Sequence, residues 1–153
     1  MAVSVVPDVI DALVTAANAA VTDATVYDGV GNSDAAGDYL MIGVDDPYSQ
    51  DYALTASVTR DWETVGLQAD ITEEGDIACV ALSWNGQADM KAARDAVYGI
   101  AEALAAAIRA NPTLGLSSLQ WALYGGQSEY RQIQDGDGAS ALLEFQIHFV
   151  ALI

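Results

Sequence analysis

The sequence has 153 residues, of which 22 are acidic and five are basic, and its net charge at pH 7 is −17. This charge repels a nucleic-acid backbone, so it argues against a DNA- or RNA-binding module, which needs lysine and arginine to displace counterions from phosphate. The single cysteine excludes an internal disulfide and any zinc site built on several cysteines. Most of the charge lies in 1–76, where fifteen acidic residues accompany one basic residue, Arg60.

The length predicts a single domain over 1–153 with enough buried surface for a core of its own. The first residues lack the positive segment of a secretory signal, and no apolar run reaches the roughly 18 residues that a membrane helix needs. We therefore expect no membrane association. The chain is expected to be made and used in a cytoplasm or in a particle assembled there.

The first elements alternate between apolar segments and polar loops. Apolar residues at helical spacing predict a helix over 7–20, and Pro7 suits its first turn. Strands are predicted at 24–27 and at 39–44, the second from its continuous apolar character. The polar segments 30–37 and 45–51 are predicted to be loops.

The middle of the chain is a β region. Strands are predicted at 53–62, 65–71 and 77–84, and the last is the strongest of the three. The segment 72–76, Thr-Glu-Glu-Gly-Asp, has the composition of a hairpin tip. This assignment makes Glu73, Glu74 and Asp76 exposed.

A second helix and three strands complete the chain. The helix is predicted over 87–110, and Gly99 in its middle suggests that another element packs closely there. Strands follow at 119–124, 129–134 and 139–153, with a turn at 135–138. In the last strand, Leu143 and the alternate residues after it predict a buried face, whereas Glu144, Gln146 and His148 lie on a wetter one. The fold class is therefore α+β, with a mostly antiparallel sheet and two main helices on one face.

The sequence contains no catalytic signature. His148, the only histidine, lies inside a strand, and a structural role there is favoured over that of a catalytic base. No phosphate loop and no nucleophile elbow occur, and the segment 135–138 lacks the remaining ligands of a calcium loop. The adjacent pairs Asp45–Asp46 and Glu73–Glu74 are expected to point apart. We therefore predict a protein that is not an enzyme and that has no cofactor and no metal.

The arrangement resembles the tail terminator proteins of long-tailed, siphovirus-type bacteriophages, especially those of actinobacterial hosts. The likeness covers nearly the whole chain and rests on patterns, not on catalytic motifs. It begins with an amphipathic N-terminal helix and ends with a long C-terminal strand. Between them the features that carry it are Val26-Tyr27-Asp28-Gly29, Leu40-Met41-Ile42-Gly43-Val44-Asp45-Asp46, Ile77-Ala78-Cys79 followed by Ser83-Trp84-Asn85-Gly86, Ala93-Arg94-Asp95 and Asn111-Pro112-Thr113-Leu114-Gly115.

The resemblance implies a structural virion protein at the head–tail junction, assembled in the host cytoplasm. Such proteins form a ring, usually a hexamer, that caps the tail tube and meets the head connector, and DNA passes through without specific binding. The acidic charge is compatible with that passage. A head–tail connector, neck or tail-completion protein is the alternative, because these share size and class. A DNA-mimic inhibitor fits less well, because the acids cluster at predicted turns and not in rows.

The residues expected at an interface are the exposed polar tips and the aromatic residues beside them. The loop 45–52 and the tip 73–76 supply them, since aromatic residues in loops are enriched at interfaces. The candidates are Asp45, Asp46, Tyr48, Tyr52, Glu73, Glu74 and Asp76.

Overall fold

A computed structural model describes residues 3–65 and 68–153 and confirms the α+β class. Two helices pack against a mixed, mostly antiparallel seven-stranded sheet. In chain order the elements are α1 (Val6–Ala20), β1 (Thr25–Asp28), β2 (Gly37–Ile42), β3 (Ala56–Val65), β4 (Gln68–Asn85), α2 (Met90–Ala110), β5 (Leu119–Tyr124), β6 (Glu129–Asp135) and β7 (Gly138–Leu152).

Two long antiparallel strands, β4 and β7, form the centre of the sheet. Along the outer edge of β4, β3 pairs with its first half and β2 with its second, and β1 lies parallel to β2. Along the outer edge of β7, β6 pairs with its first half and β5 with its second. The sheet therefore has two ends, one made of β3, β4, β7 and β5 and the other of β1, β2, β4, β7 and β6.

The predicted hairpin tip at 72–76 is wrong. These residues lie within β4, which replaces the two separate strands predicted at 65–71 and 77–84. Gly75 permits this, because a Cβ there would lie 2.5 Å from the Ser57 carbonyl oxygen of β3. Gly66 and Leu67, which the sequence placed in a strand, lie outside the described residues.

Both helices cover one face of the sheet and enclose the main core. α1 contributes Val9, Leu13 and Ala17, and α2 contributes six residues including Val97 and Leu104. Asp89 is the N-cap of α2, and its side chain accepts a hydrogen bond from the Ala92 amide at 3.1 Å.

Gly99 does not mark a close contact between elements. No atom of another element lies within 4 Å of the position that a Cβ would occupy there, so the predicted close packing at this glycine is wrong. The residue lies on the exposed side of α2. Close packing against another element therefore does not explain the glycine at this position.

The alternation of β7 is confirmed. Phe145, Ile147 and Phe149 are buried among the helices, whereas Glu144 and Gln146 are half-buried on the opposite side of the sheet. We call that opposite side the open face.

A second, smaller apolar cluster lies on the open face at the β1–β2 end of the sheet. It contains Tyr39, Met41, Val44, Val80, Leu82 and Leu142. Ala53 packs against it, so the segment that joins β2 to β3 covers this part of the face. The other end of the open face, across β3, β4, β7 and β5, is the more exposed one.

Candidate interaction surface

The loop 45–52 is held in place by its own acidic residues. The Asp45 carboxylate accepts hydrogen bonds from the Asp46 amide at 2.9 Å and from the Leu54 amide at 3.0 Å, which closes the loop across nine residues. The Asp46 carboxylate accepts from the Tyr48 amide at 2.9 Å. Both carboxylates are half-buried, so their first role is to shape the loop.

This arrangement leaves the two predicted tyrosines on the surface. Tyr48 is 66% exposed and Tyr52 is fully exposed. Partial desolvation, together with the nearby Asp46 carboxylate, raises the pKa of Tyr48 above its usual range. A shaped loop that presents two exposed phenols is typical of a protein–protein contact.

Glu73 is not part of an exposed surface. Its side chain is 0% exposed and lies on the helix side of β4. It accepts hydrogen bonds from the Ser4 hydroxyl at 2.7 Å, from the Val5 amide at 3.0 Å and from Arg60 Nε at 2.7 Å. The carboxylate therefore joins the start of α1 to the sheet, which is a structural role.

Glu74 and Asp76 lie on the open face and bracket His148. Asp76 is directly opposite His148 in the β4–β7 register. The histidine Nδ1 lies 2.9 Å from an Asp76 oxygen, and its Nε2 lies 2.9 Å from a Glu74 oxygen.

Two exposed apolar side chains of β5 adjoin this group. The Trp121 ring lies 5.5 Å from the His148 ring, centre to centre, and Leu123 is opposite His148 in the register. Carboxylates beside an exposed indole form a surface that suits a partner with both cationic and apolar side chains. His148 and Trp121 were not predicted as interface residues, because only the strand register brings them to Glu74 and Asp76.

A second acidic group lies further along the open face, beside the loop 45–52. Asp45, Glu129 and Glu144 line a cavity of about 230 Å³. Burial is the main reason that the pKa of Glu144 is raised, and the neighbouring carboxylates add to it, whereas Arg131 opposes the shift. Arg131 Nη1 lies 3.8 Å from Glu144 and its Nη2 lies 3.1 Å from Glu129, so the cluster is partly neutralised.

The polar side chains of this surface contact one another. Both nitrogens of His148 face carboxylates, and among the described side chains, those of 3–62 and 71–153, no three metal-ligating groups come together as a metal site. Cys79 lies in the core, where burial raises the pKa of its thiol to about 12. None of the described helices is long and apolar enough to cross a membrane.

Comparison with protein-family models finds none that matches the sequence, and comparison with curated proteins finds no match either. The geometry and the sequence pattern are therefore the basis on which a function is proposed.

Proposed function

We propose that the chain is a structural virion protein, a phage tail terminator. In this proposal, copies of the chain form a ring, expected to be a hexamer, that caps the tail tube and joins it to the head connector. The proposed role is assembly and not catalysis. It begins from the sequence resemblance, and the two-helix, seven-stranded α+β subunit is compatible with it.

The observation that carries the proposal is the distribution of exposed apolar side chains over separate surfaces. Tyr48 and Tyr52 lie on one loop, Trp62 on the β3–β4 hairpin, and Trp121 and Leu123 on β5. Exposed aromatic residues are typical of contact surfaces. A ring subunit needs several such surfaces, because it touches two neighbouring copies, the tube below and the connector above.

The negative charge of the chain would let DNA pass through such a ring without sticking to it. The same charge would also oppose assembly of the ring. Six copies would bring together about 100 net negative charges, since each carries −17. DNA phosphates are repelled by that field, so they would not adhere to the ring. The copies also repel one another, and partner contacts at a finished tube would offset this repulsion.

The first test is light scattering of the free protein across a salt series. The Debye length falls from about 30 Å at 0.01 M salt to about 10 Å at 0.1 M, so salt should favour rings over monomers. Rings that dissociate steadily as salt rises would refute the charge argument. They would mean that attractive ion pairs dominate the subunit contact.

The second test adds the protein to tail tubes assembled from tail-tube protein. Negative-stain electron microscopy should show a ring at one end of each tube, and the capped tubes should stop growing. The double variant Tyr48→Ser/Tyr52→Ser should cap poorly, whereas Tyr98→Ser, an exposed tyrosine on α2, serves as the matched control. If the protein neither caps tubes nor forms rings in their presence, the proposed function is wrong. Binding to connectors without capping would favour the neck-protein alternative.

A further inference from the structure

The hairpin formed by β3 and β4 extends beyond the rest of the sheet. β7 pairs with β4 only as far as Thr72, and the last contact from the C-terminus is the Ile153 amide bound to the Ile71 carbonyl at 2.9 Å. Beyond that point, 62–65 and 68–71 pair with each other. We call 60–65 with 68–73 the hairpin arm, whose connecting residues lie outside the described ranges.

The arm presents an aromatic and a cationic side chain on the same face. Trp62 is 70% exposed, which is unusual for an indole. Arg60, two residues earlier, points to the same side of the strand. Its Nε is bound to the buried Glu73 at 2.7 Å, and the side chain remains 36% exposed. The exposed part of the Arg60 side chain therefore places positive charge beside the Trp62 indole.

A groove of matching character lies between α1 and the C-terminal end of α2. Its volume is about 610 Å³, and its lining is mostly apolar, with Ala12, Ala16, Ala107 and Leu116 among the residues that form it. The charged residues that line it are Asp8 and Asp11 of α1. A mostly apolar groove of this size with two carboxylates in its lining fits a large aromatic side chain that is accompanied by a cation.

We propose that the hairpin arm of one copy docks in the α1–α2 groove of a second copy. Trp62 would fill the apolar part of the groove, and the exposed part of the Arg60 side chain would meet Asp8 and Asp11. The charges are complementary: Arg60 is the only basic residue among the fifteen acids of 1–76, and it lies beside the exposed indole. A buried aromatic side chain contributes about 150–250 Å² of contact area, so Trp62 dominates the contact and Arg60 orients it.

This inference rests on the self-assembly in the proposed function and names the contact that produces it. It does not depend on the tail tube or the head connector. The arm and the groove are different surfaces of the same chain, so the contact between them is heterologous. A heterologous contact can continue from copy to copy and close into a ring.

The test is sedimentation equilibrium of the full chain at moderate salt, with variants that each remove one half of the contact. Trp62→Ala removes the indole of the hairpin arm, and Ala16→Trp fills the α1–α2 groove. Each should weaken self-association at least about 30-fold, as expected for an aromatic hot spot. Ile133→Ala, which removes an exposed apolar side chain of β6 outside the arm and the groove, should leave the association constant unchanged. Melting temperatures near that of the wild type will show that the variants fold.

Mixing the two defective variants provides the decisive measurement. The Trp62→Ala protein retains an intact groove, and the Ala16→Trp protein retains an intact arm. An equimolar mixture should therefore form a heterodimer that neither variant forms alone. The docking contact is overturned if the mixture contains only monomers.

Two further outcomes separate this inference from the proposed function. If Trp62→Ala associates as tightly as the wild type, the arm contact is wrong, while assembly through another surface still stands. A wild-type protein that stays monomeric at every concentration also overturns the arm contact, and rings that then form only on tail tubes would leave the tail terminator function intact.

Discussion

Removing the buried carboxylate of Glu73 should destabilise the protein strongly, because three groups lose an acceptor together. In Glu73→Ala the Val5 amide is left buried without a partner, which costs about 1–3 kcal/mol. Arg60 can turn towards solvent, since 36% of its side chain is already exposed, and Ser4 lies in a half-buried position, so both add less. With the lost packing of the side chain, the total decrease in unfolding free energy is about 2–4 kcal/mol.

For a chain of this length, 1 kcal/mol corresponds to about 2–4 °C in melting temperature, so a decrease of about 5–15 °C is expected. Glu73→Gln keeps an oxygen acceptor for the Val5 amide and should lose only about 1 kcal/mol. Glu102→Ala, an exposed glutamate of α2, is the matched control and should change stability by less than about 0.5 kcal/mol. Urea and thermal unfolding followed by circular dichroism give these values.

Hydrogen exchange adds a local measurement. The Val5 amide should lose protection in Glu73→Ala, whereas amides in the middle of α2 should keep theirs relative to global unfolding. If Glu73→Ala costs no more than Glu102→Ala, Glu73 does not join α1 to the sheet and the argument is refuted.

Three further predictions concern packing and charge. Gly99→Ala should raise the unfolding free energy by about 1 kcal/mol, because the site is helical and open. Gly75→Ala should lower the unfolding free energy by about 1–3 kcal/mol, because its Cβ would meet β3. Equal effects of the two variants in urea unfolding would contradict this. Phe145→Ala should cost about 3–5 kcal/mol, and a melting shift no larger than that of Gln146→Ala would reject the assignment of Phe145 to the core. Because the pKa of Glu144 is raised in the folded state, ionising this side chain destabilises the fold as pH rises from its unfolded pKa through its folded pKa. Glu144→Gln should therefore be more stable than the wild type above that pH window and not below it. A gain in stability that is the same at all pH values would refute this.

Local patterns were sufficient for most of the elements. The 3.6-residue period predicted both helices, because each must bury one apolar stripe. The period of two in β7 predicted which side of that strand is buried, because a strand between a core and solvent alternates strictly. Loop 45–52 was predicted correctly as a polar loop, although its carboxylates serve to shape it as well as to face solvent.

The composition of 72–76 led to the one large error in the fold. Gly and Asp favour turns when their backbone groups have no other partner. In the folded chain β3 and β7 supply those partners on both sides, so the backbone stays extended through Gly75. Tertiary pairing therefore overrode the local preference, as it commonly does in strands.

By itself the sequence determined the fold class, the two amphipathic helices, the buried face of the last strand and the strongly acidic character of the first half, because each depends on residue type and local spacing. Only the tertiary structure decided that Glu73 is buried at the start of α1, that His148 lies between Glu74 and Asp76, and that Trp62 stands exposed on the hairpin arm. Those arrangements depend on strand register, and register joins residues that are up to 74 positions apart in the chain. No local pattern carries that information, which is why the candidate surface became visible only in the folded protein.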